Sequence, residues 1–249
     1  MTDRFRLIHF KSTMTEKSST DEPFLPPGSD SDSDRSAADR EPRVPEAFLS
    51  QAIVTQAKRD LMHPDFQIRM LAIRCLEKAA PGIALPLLQE ILTDGNPEVR
   101  VQGVHSLVTF SDPSVFDLIR RYSQDEDPRM RVAVLRGMFK QKERIDVNLL
   151  QPFVSDQSPW VRRKLATLLG WAQLDGVFPI LIRLSKDSHA KVRQAALLSL
   201  MTLYPEESED RLLEAMGDPD ADLRTWAKDV LERVVRKSGK QGKDVHVGN

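Results

Sequence analysis

The residues best suited to chemistry in this sequence are arginines, and they are evenly spaced. Arg69, Arg100, Arg131, Arg162, Arg193 and Arg224 follow one another at intervals of 31 residues. A guanidinium is planar, permanently charged and carries a fork of donors, so it grips phosphate or carboxylate with two bonds at once. Such a row could bind the phosphates of a polyanion, or it could be used up inside the fold. The acids discriminate between these readings. Asp94, Asp125, Asp156, Asp187 and Asp218 stand six residues before five of the arginines, and His63 takes that place in the first copy. An acid at nearly every interval favours an internal Asp–Arg network over a phosphate ladder.

The clearest copy of the phrase is Asp94-Gly95-Asn96-Pro97-Glu98-Val99-Arg100, followed by an apolar helical pattern from Val101 to Phe110. A fixed period of this length marks a repeat architecture. Each copy reads as a first helix, a short turn holding the aspartate, and a second helix with the arginine in its first turn. The carboxylate is expected to accept N–H groups where the second helix begins. The arginine sits at the unfavourable end of that helix dipole. It is therefore expected to reach an aspartate or a turn carbonyl of its own or the neighbouring unit.

Helical spacing of apolar residues supports the second helices, for example Ile68, Ala72, Leu76 and Ala79, or Val161, Leu165, Leu168 and Leu169. The fourth unit offers a shorter first helix, about Ile145 to Val154. The expectation is an all-α chain, an α-solenoid of six two-helix units and about twelve helices, occupying residues 46–236. One helix pair cannot bury its apolar faces alone, so the units are expected to stack into one continuous, gently curved core. Residues 1–45 do not fit the period. They carry the Ser29-Asp30-Ser31-Asp32-Ser33-Asp34 run and scattered prolines, and are expected to be a disordered tail, as are the polar residues 237–249.

The phrase Asp-x-x-Pro-x-Val-Arg before an alanine- and leucine-rich helix resembles short HEAT-like repeats, the type also found in phycobilin lyase subunits. The six arginines occupy the arginine position of that pattern, the five aspartates its turn aspartate, and Pro97, Pro128 and Pro159 its proline. Ala190 and Ala221 depart from it, as does Phe66 in the first copy. The resemblance covers roughly residues 46 to 236. It implies the repeat fold, while its activity is open, because such arrays serve many tasks.

Composition narrows the choice of function. The formal net charge is -1 with 29% charged and 40% apolar residues, so bulk charge does not imply a nucleic-acid partner, which is not expected, and only a local patch could serve one. The single cysteine, Cys75, excludes an internal disulfide and is expected to be a small buried hydrophobe. No apolar run approaches the roughly 18 residues of a membrane span, and no secretory signal is evident, so a cytoplasmic location is expected. No catalytic residue, metal site or cofactor is assigned. His63, His105 and His189 lack metal-ligand spacing, and no phosphate-cradling glycine loop or nucleophile elbow is present. The His-Glu dipeptide of the iron-dependent hydroxylase built from similar repeats does not recur either.

In the HEAT family the second helices usually line the concave face. Positions one and five after each arginine are expected to point away from the buried stripe. Met70 and Arg74, Val101 and His105, Val132 and Arg136, and Arg163 with Thr167 then combine apolar and basic groups. Met70, Arg74, Val101, His105, Val132, Arg136 and Arg163 are the candidate partner-binding residues, suited to a peptide or an acidic protein. Packing is expected for at least two of Trp160, Trp171 and Trp226. The leading expectation is a non-catalytic adaptor or scaffold, its oligomeric state open. A bilin lyase-like or lyase-associated subunit and a nucleic-acid-binding α-solenoid are the alternatives.

Overall fold

The computed structural model describes residues 46–241, and side-chain surroundings for residues 51–233. The expected tail over residues 1–45 lies outside the described residues, as do residues 242–249 of the expected C-terminal tail. Twelve α-helices are described: α1 (Glu46–Asp60), α2 (Phe66–Leu76), α3 (Pro81–Ile91), α4 (Pro97–Leu107), α5 (Pro113–Arg120), α6 (Pro128–Lys140), α7 (Gln151–Val154), α8 (Pro159–Ala172), α9 (Phe178–Leu184), α10 (Ala190–Leu203), α11 (Pro205–Ala215) and α12 (Ala221–Gln241). They form six pairs, an α-solenoid. The last helix runs past residue 236, where the sequence pattern places the end of the repeats.

Proline sets many of the starts. Pro97, Pro128 and Pro159 open α4, α6 and α8, where a missing N–H costs nothing and the fixed φ is already helical. The fourth unit is the irregular one. Its first helix is reduced to a 3₁₀ turn over Val147–Leu150 and the four-residue α7, yet Leu150, Phe153 and Val154 still fill the core. Lys142, before that turn, donates to the Ala172 carbonyl at 2.9 Å, at the C-terminal end of α8.

The even-numbered helices pack directly on one another from α2 to α10, and the odd-numbered helices pack chiefly against them. Small residues allow the closest approach. A Cβ at Gly170 of α8 would lie 3.2 Å from the Ser199 Cα, and Ser199 Oγ donates to the buried Ala166 carbonyl at 2.7 Å. A layer whose members touch is the inner side of a curve, so α2, α4, α6, α8, α10 and α12 form the concave layer.

The arginines tie each unit to the next. Arg131 Nε and Nη2 donate to Asp156 Oδ2 and Oδ1 at 2.6 and 2.7 Å, while Nη1 donates to the Asp125 and Glu126 carbonyls at 2.7 and 3.1 Å. The same fork joins Arg69 to Asp94, Arg100 to Asp125, Arg162 to Asp187 and Arg193 to Asp218, always 25 residues ahead. The arginine thus reaches both expected partners, the aspartate of the neighbour and the carbonyls of its own turn.

The aspartate acts one step earlier than expected. Its Oδ1 accepts the backbone N–H two residues on, from Asn96, Asp127, Ser158, His189 and Asp220. Asn96, Asp127 and His189 then cap the helices themselves, accepting from Glu98, Arg129 and Lys191. In the first copy His63 Nδ1 accepts the Asp65 N–H at 3.0 Å, reproducing the turn without a carboxylate.

The core is less uniform than the period implies. One buried cluster runs from Ala57 to Leu200, but Leu197, Leu212, Ala215, Leu223, Ala227 and Val230 form a second, smaller one under the last unit. The acid-rich α11 (Glu206, Glu207, Glu209, Asp210, Glu214) has little apolar surface to join them. Hydrogen exchange is therefore expected to be fastest in α11 and α12 and slowest in α4, α6 and α8.

Cys75 is exposed, not buried. It holds the repeat position of Ser106 and Ser199, which face the preceding unit through bonds to Glu77 and Ala166. The described residues contain no unit before the first, so that side of α2 is uncovered, and Leu71 is 62% exposed beside it.

The Arg131 and Asp156 side chains are only 5% and 4% exposed. Removing one member leaves a buried charge without its counterpart, so Asp156→Ala is expected to cost about 3–5 kcal/mol in urea unfolding. Asp218→Ala is expected to release chiefly the last unit and broaden the transition. For Asp187 and Asp218 burial raises the carboxyl pKa. Hydrogen bonds from Arg162 or Arg193 and from the turn N–H outweigh it, holding both below the usual range. A depressed carboxylate stabilises fully above its unfolded pKa, about 3.9, and less as pH falls through the lower folded value. The stability gap between the wild type and Asp187→Asn is accordingly expected to be constant from pH 8 to about 5 and to shrink below about pH 4.

Candidate protein-binding face

The even-numbered helices are covered by one another on two sides and by the odd-numbered helices on a third. Their fourth side is the concave surface. Position five after each ladder arginine falls there: Arg74, His105, Arg136, Leu198 and Asp229 are exposed and Thr167 is half-buried. One helical turn further, Lys78, Thr109, Lys140, Trp171, Thr202 and Arg233 are all exposed. These two rows, four residues apart and therefore adjacent on a helix, are the surface the solenoid presents.

Position one after the arginine behaves differently. Arg163 is exposed, but Met70 and Val101 are half-buried and pack on the core, and Val132 is 4% exposed within it. Val132 is thus a core residue and not a contact residue. It lies on α6, in the middle of the stack, between α4 and α8. Of the seven candidate residues the structure leaves Arg74, His105, Arg136 and Arg163 on the open surface.

Sequence reasoning missed the outer row, Lys140 and Trp171 above all. The signal was the same period read four residues beyond Arg136 and Thr167. The tryptophans also depart from expectation. Trp171 is 72% and Trp160 46% exposed, and only Trp226 packs on a buried cluster. Trp160, Lys164 and Trp171 follow one stripe of α8 at helical spacing.

Basic side chains gather on this surface, the charged ones on α2, α6 and α8 and the imidazole of His105 between them on α4. Burial lowers the His105 pKa, and the charges of Arg136 and Lys140 lower it further, with Glu77 opposing. Burial also lowers Lys164, assisted by Arg136 and Arg163. Arg136 is therefore the common neighbour of His105 on α4 and Lys164 on α8. Arg74, His105 and Lys140 stand in the last turns of α2, α4 and α6, where the helix dipole favours positive charge. Beyond these basic groups the face turns apolar at Trp171 and Leu198, then acidic at Asp229.

Among the described residues, Arg74, Arg136, Lys140, Arg163 and Lys164 form no side-chain hydrogen bond or ion pair. The contrast with the five ladder arginines from Arg69 to Arg193, each held by a bidentate aspartate, is sharp. Such a surface offers a charged track of modest area flanked by an indole, which suits an extended anionic chain. No helix among the described residues is long and apolar enough to cross a membrane. Replacing Arg136 with glutamine removes a positive neighbour, so the His105 titration followed by NMR is expected to move upward.

The model for HEAT repeats matches residues 54–138, 84–153 and 145–232 in overlapping stretches. Among solved structures the chain is similar to YibA of E. coli, at 20% identity over 76% of this chain and 74% of that one, with a TM-score of 0.54. It is also similar to the complex of CpcE and CpcF of phycocyanin lyase from Nostoc sp. PCC7120, at 15% identity over 78% and 79% of the two chains, with a TM-score of 0.47. No curated protein matches the sequence. Likeness at these identities concerns the fold.

Proposed function

The chain belongs to the HEAT repeat family, and from that premise we propose that it is a non-catalytic adaptor holding an acidic protein or peptide segment along the concave face of α2, α4, α6 and α8. One observation carries the reading. Among the described residues, five arginines are satisfied by bidentate aspartates, whereas Arg74, Arg136, Lys140, Arg163 and Lys164 have no acidic partner on one surface. Like charges placed side by side destabilise the folded state, and an anionic partner relieves that repulsion. Charge of this kind orients a partner and speeds its arrival, while affinity comes from buried apolar anchors. Trp171 and Leu198, at the end of the basic track, are the residues placed to supply them.

The test compares partner capture by the wild type, Arg74→Glu/Arg136→Glu and Trp171→Ala, each verified as folded by circular dichroism and thermal unfolding. The charge-reversed protein is expected to lose about tenfold or more of the recovered partner, and the wild-type capture to weaken as salt rises. Trp171→Ala is expected to lose retention with little change in salt sensitivity. Undiminished recovery by the folded charge-reversed protein overturns the assignment of this face.

A further inference from the structure

We infer that the basic face has an intramolecular occupant, the segment from Asp21 to Asp34 of this same chain, which competes with the external partner. The inference rests on the reading of that face as a binding surface. The segment lies outside the described residues, and its sequence carries the argument. Asp21, Glu22, Asp30, Asp32 and Asp34 give it five carboxylates and no basic residue, with Phe24-Leu25 as its apolar pair.

The order of these groups matches the order of groups on the face. Starting from Glu46, where the described chain begins, the acidic run is met first and Phe24-Leu25 further out. Starting from the first unit, Arg136 and Lys140 on α6 are met first, then Arg163 with Trp171 on α8, and Leu198 on α10 furthest along. The reach is sufficient. The chain between Asp34 and Glu46 extends to about 40 Å at about 3.3 Å per residue. Packed helices stand about 8–10 Å apart, so the third unit lies about 20 Å along the stack from the first. The remaining length allows the chain to cross from α1 to the concave layer. A tether this short holds the segment at a millimolar effective concentration, enough to occlude a surface whose affinity for it is only moderate.

The experiment uses the full-length protein and, as probe, a fluorescent synthetic peptide with the sequence of residues 21–34. Its binding is measured by anisotropy to the wild type, to Asp30→Asn/Asp32→Asn/Asp34→Asn, and to that variant carrying Arg136→Glu/Lys140→Glu as well. With the tethered competitor weakened, the first variant is expected to bind the probe about tenfold or more tightly than the wild type, and the added reversal to abolish that binding. Equal affinity of wild type and first variant, still lost on the charge reversal, overturns the intramolecular occupant and leaves the basic face standing. Binding that survives the charge reversal, or that no form of the protein shows, overturns both.

Discussion

The guanidinium that spans two units is the constraint on which the rest of this molecule depends. Each of the five ladder arginines from Arg69 to Arg193 directs Nε and Nη2 at the aspartate ahead and Nη1 at a carbonyl of its own turn, as Arg131 does. The aspartate in turn accepts the N–H of a residue at the next helix entry. A turn, its helix and the following turn are thereby held in one arrangement. An arginine in the first turn of a helix works against the dipole, and here the carboxylate and the turn carbonyls offset that cost. The arrangement is worth little as an isolated ion pair, since taking both charges out of water opposes their attraction. Its value lies in register. Because every unit is clamped at the same residue, residues 31 apart face the same way, and an exposed position in one unit becomes a row across several.

The ends of the ladder show what each component is for. The first turn has no guanidinium behind it among the described residues, and there the aspartate gives way to His63. Its ring nitrogen accepts the Asp65 N–H as the carboxylate does elsewhere, without the charge. At the other end Arg224 keeps its bonds to the Asp218 and Pro219 carbonyls. The period puts its forward partner at Asn249, outside the described residues. The turn geometry is thus separable from the ion pair, and only the inter-unit joint requires both.

The fold was legible in the sequence because the period is a property of residue types alone. Six arginines and five aspartates located every turn, and the fork between them followed from guanidinium geometry. The candidate face was legible only in part. Positions one, five and nine after the arginine are successive steps along a helix, each rotated by about 40° from the last. Which of them a neighbouring helix covers depends on how the units pack, and the sequence of one unit does not contain that. Hence Val132 proved buried and Lys140 exposed, although the two bracket Arg136 symmetrically. The same reasoning accounts for Cys75. Its position meets the preceding unit at Ser106, Gly137 and Ser199, and its place in the first unit exposes it. The break in the core before the last unit was hidden for a related reason, since the aspartate and arginine of the phrase recur there as Asp218 and Arg224 while α11 has lost apolar surface.

Register also explains how a chain with net charge near zero presents a strongly basic surface. The acids of the second-helix entries are drawn into turns and caps, as Asp125, Asp127 and Asp156 are, at one edge of the solenoid. The cations at the far ends of the same helices, Arg74 and Lys140, are left on the concave side with the helix dipoles behind them. Repeating this polar unit separates the signs in space without any change in composition. Arg163 and Lys164 then add charge where Arg136 is already near. The lowered pKa of Lys164 shows that burial and neighbouring cations together oppose its protonation. A stacking requirement alone gives no reason to place these groups together, whereas the proposed anionic partner, lying across α2, α4, α6 and α8, gives one.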